Sequence, residues 1–280
     1  MTTLGVIFLP QLPPERLRSV ANAADEAGLE ELWLWEDCFL EGGIASAAAA
    51  LAWTRRLRVG VGVLPVPLRN VAVAAMEIAT LHRMFPARVH IGVGHGVQDW
   101  MGQVGARVES PLTLLREYLD ALRALLRGEE VTTEGRYVRL DRVALDWPPL
   151  SAPAIFAAAT GPRTLRLAGE AADGVILTAG TSPEQVETAL GLAKSSQAVV
   201  YVHAATGPDA EPRLEAERQR QGYESMDDVS AVGSAEAIAK AVQRWADAGA
   251  TTVVLQPTED DPDPEGFVRF VATEVRPLVR

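Results

Sequence analysis

A chain of 280 residues, 48% of them hydrophobic and 22% charged, has the composition of a globular protein and the length of one eight-fold barrel or of two smaller domains. Its net charge of −11 argues against nucleic-acid binding, and no apolar run approaches the roughly 20 residues of a membrane span. The single cysteine, Cys38, excludes an internal disulfide and a zinc site built on thiolates, and together with the lack of a cationic leader it favours a cytoplasmic protein.

The first half of the chain predicts four buried strands that alternate with helices. The apolar runs are short and continuous, which is typical of strands buried on both faces of a parallel sheet. Pro13 and Pro14 favour the start of the first helix, and Gly28 favours its end. The predicted strands cover residues 4–9, 32–35, 57–64 and 89–93, and the next two helices cover 43–53 and 71–85.

The second half continues the alternation after a helix at 111–126. A weakly alternating segment at 130–145 predicts a two-stranded ribbon outside the main sheet, and helices are expected at 164–171, from Ser182, from Ser234 and at 264–278. The further strands are predicted at 154–158, 175–178, 198–203 and 252–256. The stretch 206–230 carries charges without an apolar period, which indicates a long surface loop or mobile lid, and the acidic run 259–261 indicates a solvated loop.

Eight strands alternating with eight helices predict a single (β/α)₈ barrel domain over residues 1–280, with a small ribbon insertion after the fourth strand. The alternative is an open, doubly wound sheet. The first strand is not followed by G-x-G-x-x-G, which counts against a dinucleotide-binding Rossmann domain. In a barrel, the carboxyl ends of the strands carry the functional site.

Several residues at predicted strand ends are candidates for chemistry. Glu36 and Asp37 end the second strand, although one of them could simply cap the next helix, and Cys38 beside them could be a nucleophile or a small apolar filler. His95 lies between Gly94 and Gly96, which would expose it to a ligand at the barrel mouth. The four histidines contain no H-x-H pair, so a metal site is not expected.

The loop from Thr160 through Gly161 and Pro162 to Arg163 precedes a predicted helix. Free backbone N–H groups and the positive end of the helix dipole can hold an anion at such a start, and Arg163 adds charge. An ordinary helix start is the alternative interpretation.

Five segments in order resemble one family over most of the chain: LGVIFLPQLPPE, ADEAGLEELWLWED, LRVGVGVLPVPLRN, AMEIATLHRMFPARVHIGVGHG and GPRTLRLAGEAADGVIL. They are similar to the luciferase-like monooxygenase superfamily, in the branch of coenzyme F420-dependent oxidoreductases such as the methylenetetrahydromethanopterin reductases. The resemblance implies a luciferase-like TIM barrel that transfers a hydride between F420 and a small organic substrate.

The resemblance also implies where the coenzyme and the reacting groups lie. A cis peptide bond between Gly62 and Val63 would support one face of the deazaflavin ring, and the residues after strand five would hold the phosphate. The implied catalytic residues are Asp37, Cys38 and His95, with Gln98, Asp99 and Trp100 beside them at the front of the pocket. The implied cofactor-binding residues are Gly62, Val63, Leu64, Gly94, His95, Gly96, Ala159, Thr160, Gly161, Pro162, Arg163 and Thr178.

The sequence departs from the family at several of these positions. Cys38 stands where many relatives have a histidine, and Ile7 and Val97 stand where several relatives have glutamates, so the alcohol and sugar-phosphate dehydrogenase reactions are in doubt. Two other functions therefore remain open: an FMN-dependent monooxygenase that uses reduced flavin and dioxygen, and a non-catalytic flavin or deazaflavin binding protein. The resemblance further implies a homodimer that pairs through the alanine-rich helix at 45–52 and the third helix.

Overall fold

Parallel strands close into a barrel in the computed structural model, which describes residues 2–280. The strands are β1 (Thr3–Ile7), β2 (Glu31–Leu34), β3 (Arg58–Pro65), β4 (Val89–Gly94), β5 (Val131–Glu134), β6 (Arg139–Val143), β7 (Ile155–Ala158), β8 (Gly174–Leu177), β9 (Ala198–Ala205), β10 (Ser230–Val232) and β11 (Thr252–Pro257). Eight of the parallel strands close in the order β1, β2, β3, β4, β7, β8, β9, β11 and back to β1, and β10 is an addition that pairs with β9 alone. β5 and β6 form a separate antiparallel ribbon.

Helices surround the barrel and pack their apolar faces on the outside of the strands. The first follows a 3₁₀ turn at Pro14–Arg16 and ends at Gly28, whose φ of 80° is the left-handed conformation that glycine adopts easily. Among the helices of residues 2–280, none combines the length and hydrophobicity needed to cross a bilayer. The helices are α1 (Leu17–Ala27), α2 (Gly43–Trp53), α3 (Val71–Met84), α4 (Gln98–Gln103), α5 (Pro111–Leu126), α6 (Pro162–Ala171), α7 (Pro183–Ala193), α8 (Ala210–Gln221), α9 (Ala235–Asp247) and α10 (Pro264–Phe270).

A large hydrophobic cluster lies between the barrel and the helices, and a second, smaller cluster fills the barrel interior. Trp33 and Tyr201 are its largest members, and their ring centroids lie 6.0 Å apart in an edge-on arrangement. Gly60 is required beside them, since a Cβ at this position would lie 2.4 Å from the Trp33 ring. The interior is therefore packed with side chains below the carboxyl-terminal ends of the strands. The buried members of the cluster are Ile7, Leu9, Trp33, Phe156, Ile176, Val199, Tyr201 and Val254.

The predicted barrel, its ribbon insertion and most element boundaries are confirmed, and α2 and α5 begin and end at the predicted residues. The prediction of a long surface loop at 206–230 is wrong for residues 210–221, which form α8. Its charged side chains pair along the helix, with Arg218 bonded to Glu215 and Arg220 bonded to Glu217. Alanine, glutamate, arginine and glutamine favour helix even without a strong apolar period.

Candidate functional site

A cavity of about 590 Å³ opens at the carboxyl-terminal end of the barrel strands. We call it the mouth cavity. Its volume falls within the range of roughly 300–1,000 Å³ that is typical of small-molecule and cofactor sites. The residues that line it are Gln11, Trp35, Glu36, Asp37, Gly62, Val63, Pro65, Gly94, His95, Gly96, Val97, Trp100, Ala158, Ala159, Thr160, Thr164, Thr178, Ala179, Tyr201, His203, Gln221, Tyr223 and Gln256.

One wall of the mouth cavity is formed largely by backbone. The peptide bond between Gly62 and Val63 is cis, as the sequence resemblance implies, and the pairing of β3 with β4 shifts register between Val61 and Leu64. Gly94, the last residue of β4, packs against Val63, since a Cβ at Gly94 would lie 2.9 Å from Cγ2 of Val63. A Cβ at Gly62 would likewise lie 1.9 Å from the Tyr201 hydroxyl oxygen, so both glycines allow the close packing that forms this wall of the cavity.

The two carboxylates after β2 have different surroundings. Glu36 forms an ion pair with Arg69 and accepts a hydrogen bond from the backbone N–H of Gly43 at 2.7 Å, so it orders the loop and the start of α2. Asp37 faces the mouth cavity, and burial raises the pKa of its carboxyl. The alternative that one carboxylate caps the next helix therefore holds for Glu36, while Asp37 is available to a ligand.

His95 reaches the mouth cavity from the loop after β4. Its Nε2 lies 3.2 Å from Oγ1 of Thr164, a residue in the first turn of α6, and burial lowers the pKa of the imidazole. The amide of Gln98 donates hydrogen bonds to the carbonyl oxygens of His95 and Gly96, at 3.2 Å each. Gln98 thus holds the loop after β4 and does not line the mouth cavity, although the sequence resemblance implied a position at the front of the pocket.

The start of α6 borders the mouth cavity at its outer edge. Thr160 and Thr164 line the cavity, whereas Gly161, Pro162 and Arg163 lie just outside this lining at the helix start. A Cβ at Gly161 would meet no heavy atom of the described residues within 4 Å, so the backbone there is open on that side. The arrangement can accept an anionic group that extends out of the cavity toward the helix N-terminus.

Five further residues of the predicted site differ in whether they reach the mouth cavity. Ala159 and Thr178 line the mouth cavity, whereas the side chain of Leu64 is 2% exposed and packs in the core between barrel and helices. Cys38 lies outside the lining, and burial together with the charges of Asp37 and Glu36 raises the pKa of its thiol. Asp99 also lies outside the lining, with a side chain that is 93% exposed and paired with Arg107. A raised thiol pKa disfavours Cys38 as a nucleophile, because the thiolate is the reactive form.

Sequence reasoning missed three polar residues of the inner cavity wall. Trp35 follows β2, while His203 and Gln256 lie on β9 and β11 and are paired in register. His203 is 1% exposed and Gln256 is 5% exposed. The spacing along each strand is the signal that could have found His203 and Gln256. Each lies two positions after a buried residue, Tyr201 or Val254, and alternate residues of a strand share a face.

α8 covers one side of the mouth cavity, where Gln221 and Tyr223 contribute to the lining. The Tyr223 hydroxyl donates a hydrogen bond to the carbonyl oxygen of Ala179 at 3.2 Å. Arg213 on α8 pairs with Asp261 at 2.7 Å, and these side chains are only 12% and 7% exposed. The expectation that the run 259–261 is a solvated loop is therefore wrong for Asp261, which anchors α8 to the segment after β11.

Comparison with known proteins agrees with this architecture. The chain is 31% identical over 189 residues to a 5,10-methylenetetrahydromethanopterin reductase of Methanolobus tindarius, with 67% of this chain and 57% of the relative covered. It is 32% identical over 285 residues to an F420-dependent glucose-6-phosphate dehydrogenase of Beutenbergia cavernae, with 90% of this chain and 82% of the relative covered. Several of the other matches span little more than half the length of the curated relatives.

The solved structure of the coenzyme F420-dependent tetrahydromethanopterin reductase from Methanopyrus kandleri has the same fold. It superposes with a TM-score of 0.83 at 21% identity and covers 100% of this chain and 99% of that one. The profile of the family "Luciferase-like monooxygenase" matches residues 2–199. The chain therefore belongs to the luciferase-like monooxygenase family.

Proposed function

We propose that this chain is an oxidoreductase that binds coenzyme F420 in the mouth cavity and transfers a hydride between the coenzyme and a small organic substrate. The observation that carries the proposal is the wall formed by Gly62, Val63 and Gly94, which lines the mouth cavity at the carboxyl ends of β3 and β4. The names of the curated relatives favour F420 over FMN as the ligand of this wall.

The residues around the cavity fit such a coenzyme. Its ring would lie against Gly62 and Val63, with the backbone of Leu64 and the 94–96 loop beside it, and its anionic tail would extend past Ala159 and Thr160 toward the start of α6. When bound, the deazaflavin ring supplies the carbon that accepts or gives up a hydride. The chain itself supplies position and the exclusion of water.

We assign proton transfer to Asp37 and His95, which both line the mouth cavity. Asp37 lines the cavity with a raised pKa, so it holds its proton to a higher pH than a solvated aspartate does. His95 lines the opposite loop as a neutral imidazole, because burial lowers its pKa. Both side chains line the space in which a substrate would meet the coenzyme, whereas Cys38 lies outside the lining.

Turnover with the two candidate cofactors tests the function. Reduced F420 is mixed under anaerobic conditions with a panel of carbonyl and imine acceptors, and its reoxidation is followed by absorbance at the coenzyme's visible band. Reduced FMN with dioxygen is assayed in parallel by oxygen consumption and product analysis. We expect acceptor-dependent oxidation of reduced F420. Oxygenated product from reduced FMN, with no reaction of F420, would instead establish the monooxygenase function, and binding without any turnover would establish a carrier.

We also propose that the protein forms a homodimer through α2 and α3. Val73, Met76 and Met84 place an apolar stripe on the outer face of α3, with 48%, 59% and 62% of each residue exposed. α2 beside it is rich in alanine. A second copy of the chain could cover this stripe and remove it from water.

A further inference from the structure

The inner wall of the mouth cavity holds polar atoms without a protein partner. Nε1 of Trp35, both ring nitrogens of His203 and Oε1 of Gln256 are buried, and within residues 2–280 no protein group bonds to them. Buried polar atoms are almost always hydrogen-bonded, so each exception in a folded protein calls for an explanation. All three side chains line the same cavity.

Strand register brings two of these side chains together. His203 and Gln256 are direct neighbours across β9 and β11, one layer above the pair formed by Tyr201 and Val254. The ring of Tyr223 packs edge-on against the His203 ring, with centroids 5.7 Å apart, and so fixes its orientation. Trp35 stacks on Tyr201 with ring centroids 6.2 Å apart, at the end of β2 and therefore beside β3.

The hydrogen-bonding capacity of this wall suits a neutral oxygen. The indole N–H of Trp35 donates, Oε1 of Gln256 accepts, and a neutral imidazole does both through its two nitrogens. Burial lowers the pKa of His203, against the opposing charge of Glu217, so that the ring is neutral at physiological pH. A hydroxyl group can use all of these partners, and a carbonyl oxygen can use the donors.

The charges around the cavity disfavour an anion at this wall. Among the described residues, no lysine or arginine lines the mouth cavity, while Glu36 and Asp37 do. Arg69 is paired with Glu36, and Arg220 is paired with Glu217. A phosphate or carboxylate would lose its hydration without gaining a cation in return, which is costly in a buried site.

We propose that Trp35, His203 and Gln256 form the substrate subsite and bind an uncharged hydroxyl or carbonyl group of the substrate rather than a phosphate or a carboxylate. The proposal rests on the proposed function, because it takes the wall at Gly62, Val63 and Gly94 to be covered by the coenzyme.

Two probes that differ in charge test the subsite. Saturation-transfer NMR on the F420-loaded protein compares cyclohexanone with cyclohexanecarboxylate. The variants are His203→Phe, which keeps the ring packed on Tyr223 but removes both nitrogens, and Gln256→Leu, which keeps the volume but removes the amide. Gln219→Leu, on the exposed face of α8, is the matched control. F420 affinity and thermal unfolding are measured for each protein.

We expect cyclohexanone to bind the wild type and the control, and the carboxylate to show no saturation transfer. His203→Phe should weaken the ketone about tenfold, the effect of one lost hydrogen bond, whereas Gln256→Leu should leave it within twofold, because a carbonyl oxygen does not use the acceptor Oε1. F420 affinity of both variants should stay within twofold of the wild type. Equal or tighter binding of the carboxylate, ketone binding unchanged in folded His203→Phe, or no ketone binding to the F420-loaded wild type would overturn the subsite. Failure of the wild type to bind F420 would instead refute the proposed function.

Discussion

The hydroxyl of Tyr201 on β9 donates a hydrogen bond of 3.1 Å to the carbonyl oxygen of Gly62 on β3, across the barrel interior. Tyr201 is 3% exposed, and a Cβ at position 62 would lie 1.9 Å from its hydroxyl oxygen. The contact thus requires glycine at position 62. It also ties the irregular part of β3, which forms one wall of the mouth cavity, to the opposite side of the barrel.

Replacing Tyr201 with phenylalanine should weaken both the fold and coenzyme binding. The carbonyl of Gly62 would lose its side-chain donor in a buried place, which costs on the order of 1–3 kcal/mol of unfolding free energy. Urea denaturation measures this loss, and titration with F420 measures the affinity. The control is Tyr137→Phe, whose hydroxyl accepts a hydrogen bond from the Ser110 N–H near the ribbon. F420 affinity equal in the two variants would show that the Tyr201 contact does not shape the coenzyme wall.

The ion pair between Arg213 and Asp261 should determine the local stability of α8. Arg213→Gln leaves the nearly buried carboxylate of Asp261 without its cation, and breaking a buried pair costs about 3–5 kcal/mol. We expect this cost to appear as local opening, with faster hydrogen exchange across residues 210–221 and little change elsewhere. Arg244→Gln is the control, since its pair with Asp228 is exposed and worth about 0.2–1 kcal/mol. Unchanged exchange in α8 after the Arg213 substitution would mean that other contacts hold the helix.

His82 should make the fold sensitive to mild acid. Burial lowers the pKa of this imidazole from 6.5 to about 4, aided by the charge of His90. Between these two values the unfolded chain binds a proton that the folded chain does not, so the unfolding free energy falls as the pH falls, by about 3 kcal/mol in all. Above pH 6.5 this contribution is constant. Urea midpoints from pH 4.5 to 7.5 should show a flatter profile for His82→Leu than for the wild type, and parallel profiles would contradict the assignment.

The proposed dimer predicts a response to charge on α3. Met76→Glu places a carboxylate in the centre of the apolar stripe, where it would be buried without a partner in a dimer. Analytical ultracentrifugation should show a dimer for the wild type and a monomer for this variant. Leu150→Glu, at a side chain that is 84% exposed and lies outside α2 and α3, should remain dimeric. A monomeric wild type would rule out the interface.

The sequence predicted the barrel well because its strands are short apolar runs separated by helix caps. Local pattern also located Asp37 and His95 at the ends of predicted strands, and both line the mouth cavity. His203 and Gln256 were not predicted, because their importance comes from the register between β9 and β11, which no local pattern encodes. α8 was missed for a similar reason: its ion pair to Asp261 joins residues 48 positions apart.

The most direct test of the account is an F420 titration followed by quenching of the coenzyme's fluorescence. Ala158 lines the mouth cavity and Ala154 is exposed before the same strand, so Ala158→Phe and Ala154→Phe add the same ring inside and outside the proposed site. We expect saturable F420 binding by the wild type and by Ala154→Phe, and affinity at least tenfold weaker for Ala158→Phe. Absence of binding by the wild type, or equal affinity of the two variants, would contradict a coenzyme site in the mouth cavity.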